Sequence, residues 1–295
     1  MLAILAARLA AGESVVVASV LATHGAVPRR RGATMLVRLD GTDATIGGGE
    51  AEARVVLAAR ELLRGGGDCE SVPIDLSGRP GAAGVCGGRM EVALRRWTPH
   101  DLPRVQDYAR RLRAGDTIVL GAGDLGAPGP MVPAWQVEPD VRLLVVGGGH
   151  CGLALHRFAR DLDFDVWVHD ARPECFAGDR FVDATVLCGG AGLLAEALDT
   201  QRIVFVVLVN RDFRADVAAL EALATRPPAF IGMMGSRRRV DQVRAALSAQ
   251  AQALATLHTP VGIDIDAQSP EEIAVSILAQ LIGERRRWAK EPGAV

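Results

Sequence analysis

Gly147, Gly149 and Gly152 stand in a G-x-G-x-x-G spacing. Such a loop does its chemistry through the backbone. The first glycine permits a tight turn, the second lets a pyrophosphate approach the main chain, and the third allows close helix–strand packing. Unpaired N–H groups at the N-terminus of the next helix then face the anion. Asp170 lies 23 residues beyond Gly147, where a carboxylate can accept hydrogen bonds from a ribose. His150 and Cys151 sit inside the loop, His150 as a candidate contact and the small Cys151 as a packing residue.

Other groups invite weaker readings. Cys86 is followed by Gly87 and Gly88, which leave a thiol unshielded. A thiolate there could ligate a soft metal or relay sulfur, although the residues alone favour a buried, small apolar cysteine. Arg29, Arg30 and Arg31 share a loop with Pro28 and Gly32, and arginine suits bidentate phosphate contact. Gly47, Gly48 and Gly49 could present backbone N–H groups to the same anion. Gly235, Ser236 and Arg237 precede a helix, with Ser236 as N-cap and Arg237 towards a phosphate. Asp264 and Asp266 alternate in GIDID and share a side if extended, so they could hold a metal or ribose hydroxyls. The plainer expectation is one buried, hydrogen-bonded aspartate. His24, His100 and His258 are isolated.

The elements that must position these groups fall into two patterns. Residues 1–100 read as a compact α+β domain. It has a first helix over 1–11, strands over 14–23, 33–39, 72–76 and 89–97, and a helix from 50 to 64. Residues 101–139 read as a connector, with a helix over 101–114 and short strands over 117–120 and 131–137 around a turn-rich GAGDLGAPGP. Residues 140–295 alternate strand and helix. Strands are expected at 142–146, 165–169, 183–187 and 203–209, with helices at 152–162, 215–224 and 238–248. Continuous apolar strands of this kind imply a parallel sheet covered on both faces, an α/β Rossmann-like domain. Ser269-Pro270-Glu271-Glu272 signals a capped last helix, and Arg285 to Arg287 complement the dipole at its far end.

Composition agrees with this class. The 295 residues are 49% hydrophobic and only 4% aromatic, so the core is built from aliphatic side chains. A net charge of −2 argues against a nucleic-acid partner. Five cysteines without a C-x-x-C pair argue against a disulfide framework or a zinc site, and fit reduced thiols in a cytoplasmic protein. The N-terminal segment lacks the basic lead of a signal peptide, and no apolar run is long enough for a membrane helix.

Several segments together resemble the XdhC/CoxI family of xanthine dehydrogenase accessory proteins. They are GAVPRRRGATMLV at 25–37, TIGGGEAE at 45–52, VCGG at 85–88, GGGHCG at 147–152, FIGMMGSRRR at 230–239 and TPVGIDIDAQSPEEIAVSIL at 259–278. The resemblance implies a non-catalytic factor that binds molybdenum cofactor, protects it during sulfuration and delivers it to an apo molybdenum hydroxylase. A cysteine desulfurase would act upstream. It gives Cys86 a role at the metal or in sulfur handling, and favours Arg29 and Asp264 among their neighbours as cofactor contacts. Three positions depart from the family pattern. Cys151 replaces a usual valine, the stretch 79–85 lacks an Asp and a Met, and Asn210 replaces a common His. The expected arrangement has the two domains facing each other across a cleft, with the cofactor's phosphate part at Gly147 to Gly152 and its metal near Cys86. Two rivals use the same loop: an NAD(P)-dependent oxidoreductase and a nucleotide-sensing module. The alanine-rich helices could also support a homodimer.

Overall fold

The computed structural model describes residues 1–127, 134–252 and 257–288. The chain divides into two compact units, Met1–Glu138 and Pro139–Val295.

In the first unit, α1 (Leu2–Ala10) leads into β1 (Val15–His24), β2 (Thr34–Val37) and β3 (Thr42–Asp43). After α2 (Gly49–Gly65) come β4 (Cys69–Asp75) and β5 (Arg89–Trp97). The five strands form an antiparallel sheet in the order β3-β2-β1-β5-β4. Alternation along β1 divides its side chains between two faces. Val16, Ala18 and Val20 pack with Val55 and Ala59 of α2, whereas Val15 packs with Leu5, Leu9 and Trp97. Gly66 takes a left-handed conformation and ends α2, as its glycine run predicts.

The expected connector packs onto this first sheet. Val105 of α3 (Leu102–Ala114) joins the cluster of Leu5, Leu9 and Trp97. β6 (Ile118–Leu120) and β7 (Trp135–Val137) form a two-stranded ribbon. Leu125, in a short helix α4 (Ala122–Leu125) within the stretch read as turns, packs with Leu21, Ala93 and Trp135. The physical reason is burial: Val105, Leu125 and Trp135 need an apolar face, and the sheet supplies one. Residues 131–133 of the strand expected over 131–137 lie outside the described residues.

The second unit holds a six-stranded, all-parallel sheet. Its strands are β8 (Val141–Val146), β9 (Phe164–Asp170), β10 (Thr185–Cys188), β11 (Val204–Leu208), β12 (Phe230–Met233) and β13 (Leu257–His258). They lie in the order β10-β9-β8-β11-β12-β13. Counted from the first strand this is 3-2-1-4-5-6, the doubly wound order that places a crevice where the direction of winding reverses, here between β8 and β11. α5 (His150–Ala159) and α10 (Pro270–Trp288) cover one face through Leu155, Ala159, Ile277 and Leu281. α6 (Leu194–Leu198), α7 (Phe213–Ala224), α8 (Arg237–Ala246) and α9 (Ala249–Gln252) cover the other through Leu198, Leu220, Val243 and Ala251. The predicted Rossmann-like class is observed. β12 and β13 carry too few residues to stand out in the sequence, and hydrogen bonding to β11 and to each other defines them.

The α10 capping box forms as its sequence predicts: Glu272 N–H donates to Ser269 Oγ, and Ser269 N–H donates to the Glu272 carboxylate. Arg285 does more than complement the dipole. It donates to the carbonyls of Leu162 and Asp163 and lies over the Phe164 ring, tying α10 to the segment that enters β9.

Candidate functional site

The turn after β8 is shaped by what its glycines exclude. Gly147 has φ +124°, and a Cβ there would meet the backbone of Val209 and Asn210. A Cβ on Gly152 would lie 1.9 Å from the Gly147 carbonyl oxygen. Gly149 differs, because a Cβ there would meet nothing within 4 Å. Its freedom is space above the backbone, at the N-cap of α5. His150 is exposed at the first helical position. The first-turn N–H groups of a helix have no carbonyl partner within it, so this end presents donors to an anion.

Two adjacent clefts open at this end of the strands. One, of about 320 Å³, is lined by Gly148 to Cys151, Arg172, Cys175, Arg180, Asn210 and Arg211 among others. The second, of about 400 Å³, is lined by His169, Asp170, Arg172, Gly189, Gly190, Asn210, Arg211 and Asp212 among others. Arg172, Asn210 and Arg211 belong to both. Sequence reasoning missed Arg172, Arg180 and Arg211. They are scattered single arginines, and only the folding together of three loops makes them neighbours of the glycine turn.

Asp170 ends β9 and is 5% exposed. Its Oδ2 accepts the Gly148 N–H at 2.8 Å and an Arg172 guanidinium N–H at 2.8 Å. Its Oδ1 accepts the Arg172 backbone N–H and Nε–H, both at 3.0 Å. Burial pushes the carboxyl pKa up, but the Arg172 and Gly148 hydrogen bonds outweigh it and hold the group well below the ordinary carboxylate range. Cys175 is buried against Asp170, and burial first, then the Asp170 charge, pushes its thiol up. Cys151 is half-buried and its thiol is likewise raised by burial, in keeping with the packing role expected of it.

Asn210, where the family commonly carries a His, is a structural clamp. Its side-chain amide donates to Asp216 Oδ1 at 3.0 Å, and its Oδ1 lies where a Cβ on Gly147 would intrude. Asp216 is fully buried and also accepts from Arg239 Nε–H and a terminal N–H. Arg239 further donates to the carbonyls of Asn210 and Arg211. The third arginine of GSRRR is thus an internal tie for the loop after β11. Ser236 caps α8 as expected, accepting the Arg239 N–H, and Gly235 packs against the Arg239 side chain. Arg237 is exposed at the first position of α8.

Asp264 and Asp266 depart from both expectations. The segment is irregular, not extended, with Asp266 at φ +55°, and both residues are exposed. Asp264 Oδ1 accepts the Asp266 N–H at 3.4 Å, so the residues form a local turn and not a parallel carboxylate pair. The preceding Gly262 is the anchored residue: its N–H donates to Gln280 of α10.

In the first unit three candidate loops converge. Gly47 packs against Pro28 so closely that a Cβ would lie 2.5 Å from the proline ring, beside Arg29. A Cβ on Gly88 would lie 2.3 Å from the Ala26 carbonyl, and one on Gly25 would lie 3.1 Å from the Gly87 carbonyl. The loop bearing Arg29 therefore touches both glycine runs. Cys86 and Gly87 are exposed at the tip of their loop, so the expectation of a buried, packing Cys86 is overturned. The Gly47 to Gly49 amides are largely used internally. Glu52 accepts the N–H groups of Ile46 and Gly48, and Thr45 Oγ1 accepts that of Gly47. The nest already holds a carboxylate. Burial raises the Glu52 pKa, yet the hydrogen bonds from Thr45 and the loop amides leave it lowered. Among the described residues no cluster of three or more His, Cys, Asp or Glu could hold a metal ion, and no helix is long and apolar enough to cross a membrane.

Comparison with known proteins now adds to this geometry. An Escherichia coli protein described as uncharacterized, YqeB, is 29% identical over 90% of this chain and 42% of its own length. A Bacillus subtilis protein described as a probable xanthine dehydrogenase subunit is 29% identical over 52% of this chain and 46% of its own. The chain thus spans less than half the length of these curated relatives. A Bacillus halodurans crystal structure described as a xanthine dehydrogenase shares the fold, with a TM-score of 0.81 at 24% identity over 99% of this chain and 97% of that one. The family model for the XdhC Rossmann domain matches residues 143–281, and that for the XdhC and CoxI family matches residues 8–72. With one model in each of its two units, this chain belongs to the XdhC/CoxI family.

Proposed function

We propose that the protein is an accessory factor for a xanthine dehydrogenase-type molybdenum hydroxylase. It binds molybdenum cofactor, shields it while sulfur from a cysteine desulfurase is installed, and passes it to the apo-enzyme. The observation that carries this reading is the anion site after β8, in a chain of this family: an uncovered Gly149 at a helix N-terminus with Arg172, Arg180 and Arg211 lining the same cleft. The residues fit a phosphorylated group. Gly149 leaves space over the backbone, and Arg180 carries a buried Nε–H without a hydrogen-bond partner among the described residues.

In this reading Gly147, whose own N–H donates to the His169 carbonyl, shapes the turn, and Gly149, His150 and Gly152 offer backbone N–H groups to the phosphate part. The Asp170–Arg172 pair lines its far side, and Gly235, Ser236, Arg237 and Asp264 belong to neighbouring loops as further candidate contacts. Within the first unit, Cys86, exposed between Val85 and Gly87, is a separate candidate: a soft thiol for a metal or for sulfur handling, with Arg29, Gly47 to Gly49, Gly87 and Gly88 as further candidate contacts of that unit. The bound cofactor would supply the molybdenum chemistry that the target enzyme later uses. This chain's part is to hold, orient and release it.

The test is reconstitution. Cofactor-free hydroxylase is incubated with cofactor source and desulfurase, with and without this protein. Faster or fuller activation with the protein present supports the reading, and no change in its presence refutes it. The 3-2-1-4-5-6 strand order equally suits an NAD(P)-dependent oxidoreductase. Titration with NADH and NADPH, read by nicotinamide fluorescence, separates the two.

A further inference from the structure

The end of β9 does not present a free carboxylate. A carboxylate has about four acceptor directions. All four of Asp170 are used: Gly148 N–H, the Arg172 backbone N–H, Arg172 Nε–H and an Arg172 terminal N–H. Nothing is left on Asp170 to receive a ribose diol. Its role is to hold Arg172. The Arg172 side chain is more than half exposed and lines both clefts, and its other terminal nitrogen has no acceptor among the described residues.

The surroundings favour an anion there. Arg211 lines both clefts and its guanidinium has no protein acceptor among the described residues. Of the acidic neighbours, Asp170 is saturated, Asp212 Oδ1 caps α7 by accepting the Arg214 N–H, and Glu174 lines the first cleft beside Arg172 and Arg180. His169, 6% exposed, also lines the second cleft; its Nε2–H donates to the Gly190 carbonyl, so Nδ1, without a partner among the described residues, is an acceptor in the neutral ring. Three arginines, Arg172, Arg180 and Arg211, therefore line these clefts against two carboxylates with oxygens to spare, Glu174 and Asp212.

We infer that Arg172, held by Asp170, makes this site select a ligand bearing a phosphomonoester over the same ligand presenting a free ribose diol. The inference rests on the reading that the cleft holds a phosphorylated, nucleotide-type group, and it reverses the ribose-binding role expected for Asp170. A ribose 2′-phosphate or the terminal phosphate of a pterin cofactor offers the same chemistry.

The test uses the full chain with ADP-ribose and 2′-phospho-ADP-ribose in calorimetric titrations, on wild type, Arg172→Gln and Arg172→Lys. One or two charge-assisted hydrogen bonds predict roughly tenfold to a hundredfold tighter binding of the phosphorylated partner. Arg172→Gln weakens that partner and strengthens ADP-ribose, because Asp170 is released. Arg172→Lys keeps part of the preference but loses the bidentate hold on Asp170. If neither nucleotide binds, the pterin retained in anaerobic purification is analysed. A terminal phosphomonoester that Arg172→Gln fails to hold supports the inference with the pterin as source. Equal or tighter binding of ADP-ribose by wild type, a retained pterin wholly in the dinucleotide form, or indifference to Arg172→Gln overturns it. Discrimination between the nucleotides without any retained pterin overturns the molybdenum-cofactor reading and leaves this inference standing.

Discussion

At the residue scale, a Cβ on Gly152 would strike the Gly147 carbonyl. Gly152→Ala is expected to displace that carbonyl and destabilise the second unit by about 1–3 kcal/mol, read as a lower urea midpoint. The spacing of Gly147, Gly149 and Gly152 marks the turn in the sequence, whereas the arginines around it carry no such mark. Asp170 stands out by its distance from the turn, but its saturation by Arg172 depends on a local curl of the chain that no spacing encodes. Cys151→Val fills the same half-buried space without a polar group to lose, so thermal stability and ligand retention should both stay near wild type. Asp170 also predicts a pH signature. Its folded pKa is depressed, so its stabilisation is present above the ordinary value of 3.8 and is lost as pH falls below that towards the folded value. The stability gap between wild type and Asp170→Asn should therefore be constant from pH 7 to 5 and shrink on further acidification. A gap that grows below pH 4 would contradict this assignment.

At the element scale, long elements with clear periodicity were legible and short ones were not. β5, α2 and α10 follow from alternation, glycine stops and a capping box. β12 and β13 did not stand out, because four residues and two residues respectively carry no periodic signal and exist through pairing with β11 and each other. The same holds for the tie between α8 and the loop after β11. The GSRRR run reads as a helix cap with an arginine towards a phosphate, and nothing in it signals that Asp216 lies buried beneath Arg239. Arg239→Met leaves an uncompensated buried carboxylate and should cost about 3–5 kcal/mol, measured by chemical denaturation. Arg239→Met with Asp216→Leu should recover much of that loss, since an apolar pair can replace a buried ion pair at little cost. Failure of the double variant to recover would show that the carbonyl contacts to Asn210 and Arg211, not the charge pair, carry the stability.

At the scale of the whole molecule, each unit has its own core and its own candidate loops. The fold class was legible because strand–helix alternation and a parallel sheet covered on both faces leave a continuous pattern in the chain. The assignment of residues 101–138 to the first unit was not, because short helices and ribbons become part of a domain only through the apolar surface they meet. If the turn after β8 holds a phosphorylated cofactor, Gly149 is the place where one side chain would block it. A Cβ at Gly149 would meet no atom of the described residues within 4 Å, and its φ of −71° suits any residue. Gly149→Leu should therefore fold with stability within about 1 kcal/mol of wild type while filling the space the ligand needs. The measurement is anaerobic purification of wild type and Gly149→Leu from cells making molybdenum cofactor, read by metal analysis and pterin fluorescence. Cofactor is expected on wild type, with at least a tenfold loss on the variant, roughly what the loss of one or two charge-assisted phosphate hydrogen bonds implies. Equal retention by both proteins would contradict the proposed site.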